Sequence, residues 1–322
     1  MSSRLASEIR GGDRRALAKG ITLVENGGPG AAVLLRLSKP PRRAFIVGVT
    51  GPPGTGKSSL VDRLVGIYRK EGLKVGVVAV DPTSPITGGA LLGDRIRMTD
   101  HAQDKGVYIR SMASRGWSGG LSKATAQVVQ LMDAAGYDVV IVETVGIGQS
   151  DIEVVRVAHA VLVVLMPGMG DDVQVSKAGL MEIGDVYVVN KADIEGADSM
   201  VVSVLGITRG MPKSPPVLKV SALSGEGLEK LHSALEQIRD SFEKGNSLKL
   251  RSLSGMITET ARGMTMESFT SAVSKADKLA EAVLGDELTV EEAAAHLRAL
   301  ATSRSEADTS GRRGRRRSRR GV

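Results

Sequence analysis

Residues 45–59 read FIVGVTGPPGTGKSS. A run rich in Val and Ile ends at Thr50, a glycine-rich octet spans Gly51 to Ser58, and helical periodicity follows over Ser59 to Tyr68. The octet fits G-x-x-x-x-G-K-[ST], a pattern that carries weight only when a strand precedes it and a helix follows, as here. Its glycines let consecutive backbone N–H groups turn inward around phosphate oxygens. The start of the helix adds partial positive charge. Lys57 is expected to reach the β- and γ-phosphates of a nucleotide, and the Ser58 hydroxyl to ligate Mg²⁺.

Outward from this loop, short apolar runs alternate with longer helix-like segments. The predicted strands are Ala44–Thr50, Val75–Val80, Val107–Arg110, Val139–Glu143, Val161–Met166, Val186–Asn190 and Val217–Val220. They lack clean polar alternation, which is how strands covered on both faces read. Repeated strand–helix units predict an α/β fold: a mostly parallel central sheet with helices on both faces. Residues 1–41 read as an N-terminal helical extension with a break at Asn26 to Gly30, and Pro40-Pro41 ends it. Residues 42–245 form the nucleotide-binding domain. Residues 246–302 read as a C-terminal helical region, and 303–322 as a disordered Arg-rich tail.

Asn190-Lys191-Ala192-Asp193 ends the sixth predicted strand. A carboxylate at Asp193 can accept from N1–H and N2–H₂ of guanine, a donor pair adenine lacks, so an ATP complex would leave it unpaired. The Lys191 stem can cover the base. Ser221-Ala222-Leu223, after the next strand, fits a loop whose backbone contacts the guanine oxygen. Alone the tetrad is a weak match; with the phosphate loop it points to GTP and GDP.

Glu143-Thr144-Val145-Gly146 closes the fourth predicted strand. Glu143 can reach the Mg²⁺ shell or orient water, and the Gly146 N–H can meet the γ-phosphate. A helix cap is the plainer reading of Glu143. Asp81 ends the second strand. Asp94 follows a glycine-rich stretch and fits either a Mg²⁺ ligand or a helix N-cap. The expected catalytic set is Lys57, Asp81, Asp94 and Glu143, and the metal set Ser58, Asp81, Asp94 and Glu143. The expected nucleotide contacts are Gly51, Pro52, Pro53, Gly54, Thr55, Gly56, Lys57, Ser58, Ser59, Gly146, Asn190, Lys191, Asp193, Ser221, Ala222 and Leu223. No Gln directly follows Gly146, so slow intrinsic turnover is expected.

Composition narrows the classes. The formal charge is +7, yet residues 311–320 (GRRGRRRSRR) hold seven arginines, leaving the remainder neutral. Basicity is thus a property of the tail, and nucleic acid would be met only non-specifically there. There is no Cys, and the four histidines show no metal-ligand spacing, which argues against a nickel-inserting accessory GTPase. Met256, Met264 and Met266 are too sparse for the methionine-rich domain of a signal-recognition GTPase. The first residues have no apolar h-region and no run reaches membrane length, so a cytoplasmic protein is expected.

The stretches VDPTSPITGGALLGDRIRM, ETVGIGQSDIEV, MPGMGDDVQ and VVNKAD together resemble the MeaB/ArgK-type GTPases, the family of the methylmalonic aciduria type A protein. The resemblance covers roughly residues 1–300 and implies a SIMIBI-type P-loop fold. It implies a G-protein chaperone that loads and protects the cofactor of an adenosylcobalamin-dependent mutase, with methylmalonyl-CoA mutase as partner. It also implies a homodimer held by C-terminal helices. On this basis Asp81, Asp94 and Glu143 look like the family's acidic residues around Mg²⁺, and Gly168 to Gln174 resembles a mobile loop with Lys177 near its end. Ala178 stands where a second lysine is expected, Trp117 fits either a partner contact or a core position, and the Arg tail departs from the family pattern.

Overall fold

The structure is a computed structural model. It describes residues 2–27, 29–38, 44–81, 101, 103–113, 123–144, 154–169, 179–211, 214–245, 247–248, 250–258, 261, 265, 279 and 292–299. In order along the chain the elements are α1 (Ser2–Arg10), α2 (Arg14–Asn26), α3 (Pro29–Leu37), β1 (Phe45–Thr50), α4 (Lys57–Lys70), β2 (Val75–Asp81) and β3 (Val107–Ala113). There follow α5 (Lys123–Ala134), β4 (Val139–Thr144), β5 (Ala160–Leu165), β6 (Val186–Val189), α6 (Ala197–Thr208), β7 (Val217–Lys219) and α7 (Leu228–Lys244). Met1–Met256 form one compact unit and Ile257–Val322 another. In the second, residues 292–299 are helical.

Seven strands form one sheet in the order β3-β2-β4-β1-β5-β6-β7, and every pairing is parallel. The sequence explains why. In β5, Val161, Val163 and Leu165 face one apolar layer, while Ala160, Leu162 and Val164 face the other. The same two-sided alternation holds in β1, β4 and β6. A strand apolar on both sides must be covered twice, which β–α–β crossovers achieve. α4 and α7 supply Leu60, Leu64, Leu231 and Leu235 to one layer. α5 supplies Val128, Leu131 and Met132 to the other.

The N-terminal helices belong to that second layer: Ile9, Leu17, Ile21 and Leu34 are fully or almost fully buried within it. They are three helices, with a break at Gly11-Gly12 that the apolar spacing did not reveal. Gly12 turns with φ 79°, and the Asp13 carboxylate accepts from Ala16 N at 2.7 Å, capping α2. Arg110 of β3 pairs with Glu25 of α2, tying this layer to the sheet edge.

Crossovers reverse direction at β1, which lies between β4 and β5. In open α/β sheets ligands bind beyond the carboxyl ends of strands at such a switch point. Gly51, Glu143, Asn190 and Ser221 all lie at the carboxyl ends of their strands.

Candidate functional site

Built from the backbone up, the phosphate loop is a tight turn that only glycine permits at two places. Gly51 has φ 139°, and a Cβ there would run into the Val164 carbonyl oxygen. Gly56 has φ 86°, caps α4, and a Cβ would strike the Asn190 amide. α4 begins at Lys57. Lys57 is 6% exposed, and its ammonium donates to the carbonyls of Gly51 (2.8 Å) and Pro52 (2.9 Å). Thr55 Oγ1 donates to Pro52 O at 2.9 Å, closing the turn from within. Pro53, Gly54 and Ser59 are exposed around it.

Ser58, in the first turn of α4, and Glu143, at the end of β4, meet directly. Ser58 Oγ donates to Glu143 Oε1 at 2.6 Å, and both residues are buried. Behind them Thr144 Oγ1 donates to Thr50 Oγ1 at 3.0 Å, joining the ends of β4 and β1. The Glu143 carboxylate is therefore held inside the fold, at the mouth of the phosphate loop. The Asp81 backbone ends β2, two strands from β1. Asp94, Gly146, Trp117, Lys177 and Ala178 lie outside the described residues, as does most of the segment 168–174.

Asn190 organises the other half. Its Nδ2 donates to Thr55 O at 2.8 Å, and its Oδ1 accepts from Ala222 N at 3.0 Å. One buried amide thus joins the phosphate loop, the tetrad turn and the Ser221–Leu223 loop. Lys191 takes a left-handed φ of 58°, and Ala192 N donates to Val220 O at 3.0 Å, pinning the turn to the end of β7. The Lys191 ammonium rests against Met166 Sδ. Asp193 is exposed, and Ser221 Oγ donates to its Oδ1 at 2.6 Å. Ser224 N donates to that same hydroxyl oxygen at 3.2 Å, which orients the serine proton toward Asp193. This hydrogen bond, with one from the Asp193 backbone, holds the Asp193 carboxyl below its ordinary range.

Sequence reading missed Arg63. From α4 it donates to Ala222 O (2.8 Å) and Leu223 O (3.0 Å), fastening the base-side loop to the phosphate-loop helix. No motif marks it, because an arginine on an outward helix face reads as solvated. Sequence spacing did not mark a second convergence: Glu71, His232 and Glu236 have potential ligand atoms all within 4.8 Å of one another. His232 and Glu236 are one turn apart on α7, a spacing the histidine count alone conceals.

A phosphate loop on the central strand of a parallel sheet, with an Asn-Lys-x-Asp turn two strands away, defines a P-loop GTPase. The chain belongs to the family described as methylmalonyl-CoA mutase-associated GTPase MeaB, whose match spans residues 17–278. It is 50% identical over 253 residues to a putative GTPase of Pyrococcus horikoshii, covering 76% of this chain and 80% of that one. It is 39% identical over 254 residues to the GTPase ArgK of Escherichia coli, covering 75% of this chain and 77% of that one. A crystal structure described as a LAO/AO transport system kinase superposes with TM-score 0.66 at 27% identity, covering 92% of this chain and 96% of that one. Among the described residues no helix is long and apolar enough to cross a membrane.

Ser221 offers a pH test. A guanine-binding carboxylate must be ionised, so affinity is present above its folded pKa and lost as pH falls through it. Ser221 lowers that pKa. Ser221→Ala is therefore expected to shift the acid limb of GDP binding to higher pH, read by fluorescent-GDP titration from neutral to acid conditions. Superimposed limbs for the two proteins would refute the role.

Proposed function

We propose that this GTPase is a nucleotide-controlled chaperone of an adenosylcobalamin-dependent acyl-CoA mutase, methylmalonyl-CoA mutase foremost, and that it works as a homodimer joined through its C-terminal helices. The supporting observation is membership of a mutase-associated family across residues 17–278. In this reading the backbone N–H groups of residues 54–58 cradle the phosphates, Gly146 meets the γ-phosphate, and Asn190, Lys191, Asp193 and residues 221–223 hold guanine.

The donors at Ser58 and Glu143 are oxygens, converge at 2.6 Å and are buried, a set suited to Mg²⁺. Ser58 and Glu143, with Asp81 and Asp94, would hold it, and when bound it supplies positive charge to the phosphate oxygens. Lys57 exchanges the carbonyls of Gly51 and Pro52 for phosphate oxygens, and so places a full charge where the β–γ bridge gains negative charge. Glu143 has the reach to orient the attacking water. Nucleotide state then passes to the client through residues 168–174, the segment that follows β5 in the chain.

The test is recovery of purified mutases by this protein loaded with GDP or with a non-hydrolysable GTP analogue. Methylmalonyl-, ethylmalonyl- and isobutyryl-CoA mutases serve as candidates. One mutase is expected to be recovered selectively, with nucleotide-dependent yield, and to accelerate GTP turnover. Equal recovery of all three, or of none, would overturn the client assignment and leave the GTPase intact.

A further inference from the structure

Far along α4 from the phosphate loop, its last turn meets α7. Glu71 caps the C-terminal end of α4, and His232 and Glu236 face it from α7. His232 Nε2 lies 3.0 Å from Glu71 Oε1 and 3.9 Å from Glu236 Oε1. Yet this nitrogen is occluded from solvent and has no hydrogen bond among the described residues. Arg239 Nη1 donates to both oxygens of Glu236, Oε2 at 3.3 Å and, more weakly, Oε1 at 3.5 Å, and Oε1 is the oxygen nearer His232.

A second observation points the same way. The Tyr68 ring packs edge-on against His232 with centroids 5.3 Å apart. Tyr68 is 0% exposed, and its hydroxyl has no hydrogen-bond partner among the described residues. A fully buried hydroxyl left unpaired is costly unless something accepts from it or donates to it.

We infer that Glu71, His232 and Glu236 form a divalent transition-metal site, with Zn²⁺ as the fitting ion, that clamps α7 to the end of α4. One imidazole nitrogen and two carboxylate oxygens are borderline donors. Mg²⁺ and Ca²⁺ favour all-oxygen sets, whereas imidazole selects zinc and its neighbours. At metal–ligand distances of ~2.0–2.2 Å, ligand atoms on neighbouring vertices lie about 3.0–3.5 Å apart. The 3.0 Å pair meets that spacing, and a modest rotation of Glu236 brings in the third ligand. The Tyr68 ring, packed edge-on against His232, holds the imidazole in place, as outer-shell partners do.

The test is a Zn²⁺ titration of tag-free, chelator-stripped full-length protein, with GDP and Mg²⁺ saturating the nucleotide site. The wild type is expected to take one equivalent and to gain thermal stability with rising zinc. His232→Gln should lose at least ~100-fold in zinc affinity, above the 10–100-fold typical of outer-shell changes, with unchanged GDP affinity. Glu236→Gln, the milder variant, should show the same direction and so guards against a folding defect at His232. Zinc uptake by wild type no greater than by His232→Gln, or equal thermal gains in both, would reduce the cluster to a histidine–carboxylate ion pair and overturn the assignment.

Discussion

Lys57→Ala is expected to lower single-turnover GTP hydrolysis by at least ~10²–10³-fold, the scale for deleting one preorganised donor to developing charge. The structure says why this ammonium matters before any nucleotide arrives. It is buried and held by the loop's own carbonyls at 2.8 and 2.9 Å. Phosphate oxygens replace neutral acceptors with anionic ones, and charge-assisted hydrogen bonds are roughly twice as strong. With Lys57 serving the β–γ bridge, as proposed, GTP affinity should fall more than GDP affinity. Lys57→Arg keeps the charge but brings a larger planar fork into a turn sized for a point charge, so it should rescue little. Calorimetry with both nucleotides, beside the hydrolysis assay, checks this. Hydrolysis near the wild-type rate in Lys57→Ala would remove the phosphate loop from the mechanism.

The parts of this fold legible in sequence are those whose cause is local. All seven strands lie within a few residues of their predicted positions, because runs such as Ala160–Leu165 are apolar on both faces and have no other stable placement. The parallel direction of the sheet followed from strand–helix repetition, whereas its strand order is a tertiary fact. The break between α1 and α2 was not legible, since it depends on Gly12 adopting φ 79° and Asp13 capping inward, within an otherwise helical apolar spacing. At the site, motif residues such as Lys57 and Asn190 announce themselves by fixed spacing. Arg63 and the Glu71–His232–Glu236 cluster do not, because their partners lie more than a hundred residues away and only packing of α7 beside α4 brings them near. Metal spacing read along one helix gives only His232 and Glu236. The third ligand is a tertiary fact.

Asn190→Ala should separate a coordinating residue from a merely base-contacting one. Its amide is 2% exposed and satisfies both Thr55 O and Ala222 N. Truncation leaves a buried acceptor in the phosphate loop and a buried donor in the guanine loop, each costing about 1–3 kcal/mol. Both loops then lose a common reference point. With ~1.4 kcal/mol per decade, GDP affinity should drop about 10–100-fold. The informative measurement adds inorganic triphosphate, a probe without a base. Ser221 touches Asp193 and the base-side loop alone, so Ser221→Ala should leave triphosphate binding unchanged. Asn190 also reaches Thr55, so Asn190→Ala should weaken triphosphate as well as GDP. Asn190→Asp keeps an acceptor for Ala222 N but loses the donor to Thr55, so it should weaken triphosphate most, with a negative charge added beside the phosphate loop. If Asn190→Ala weakens GDP while triphosphate binds as to wild type, the amide belongs to base recognition only. The phosphate and guanine halves would then be mechanically independent, and nucleotide sensing would have to pass through Glu143 and the β4 strand end instead.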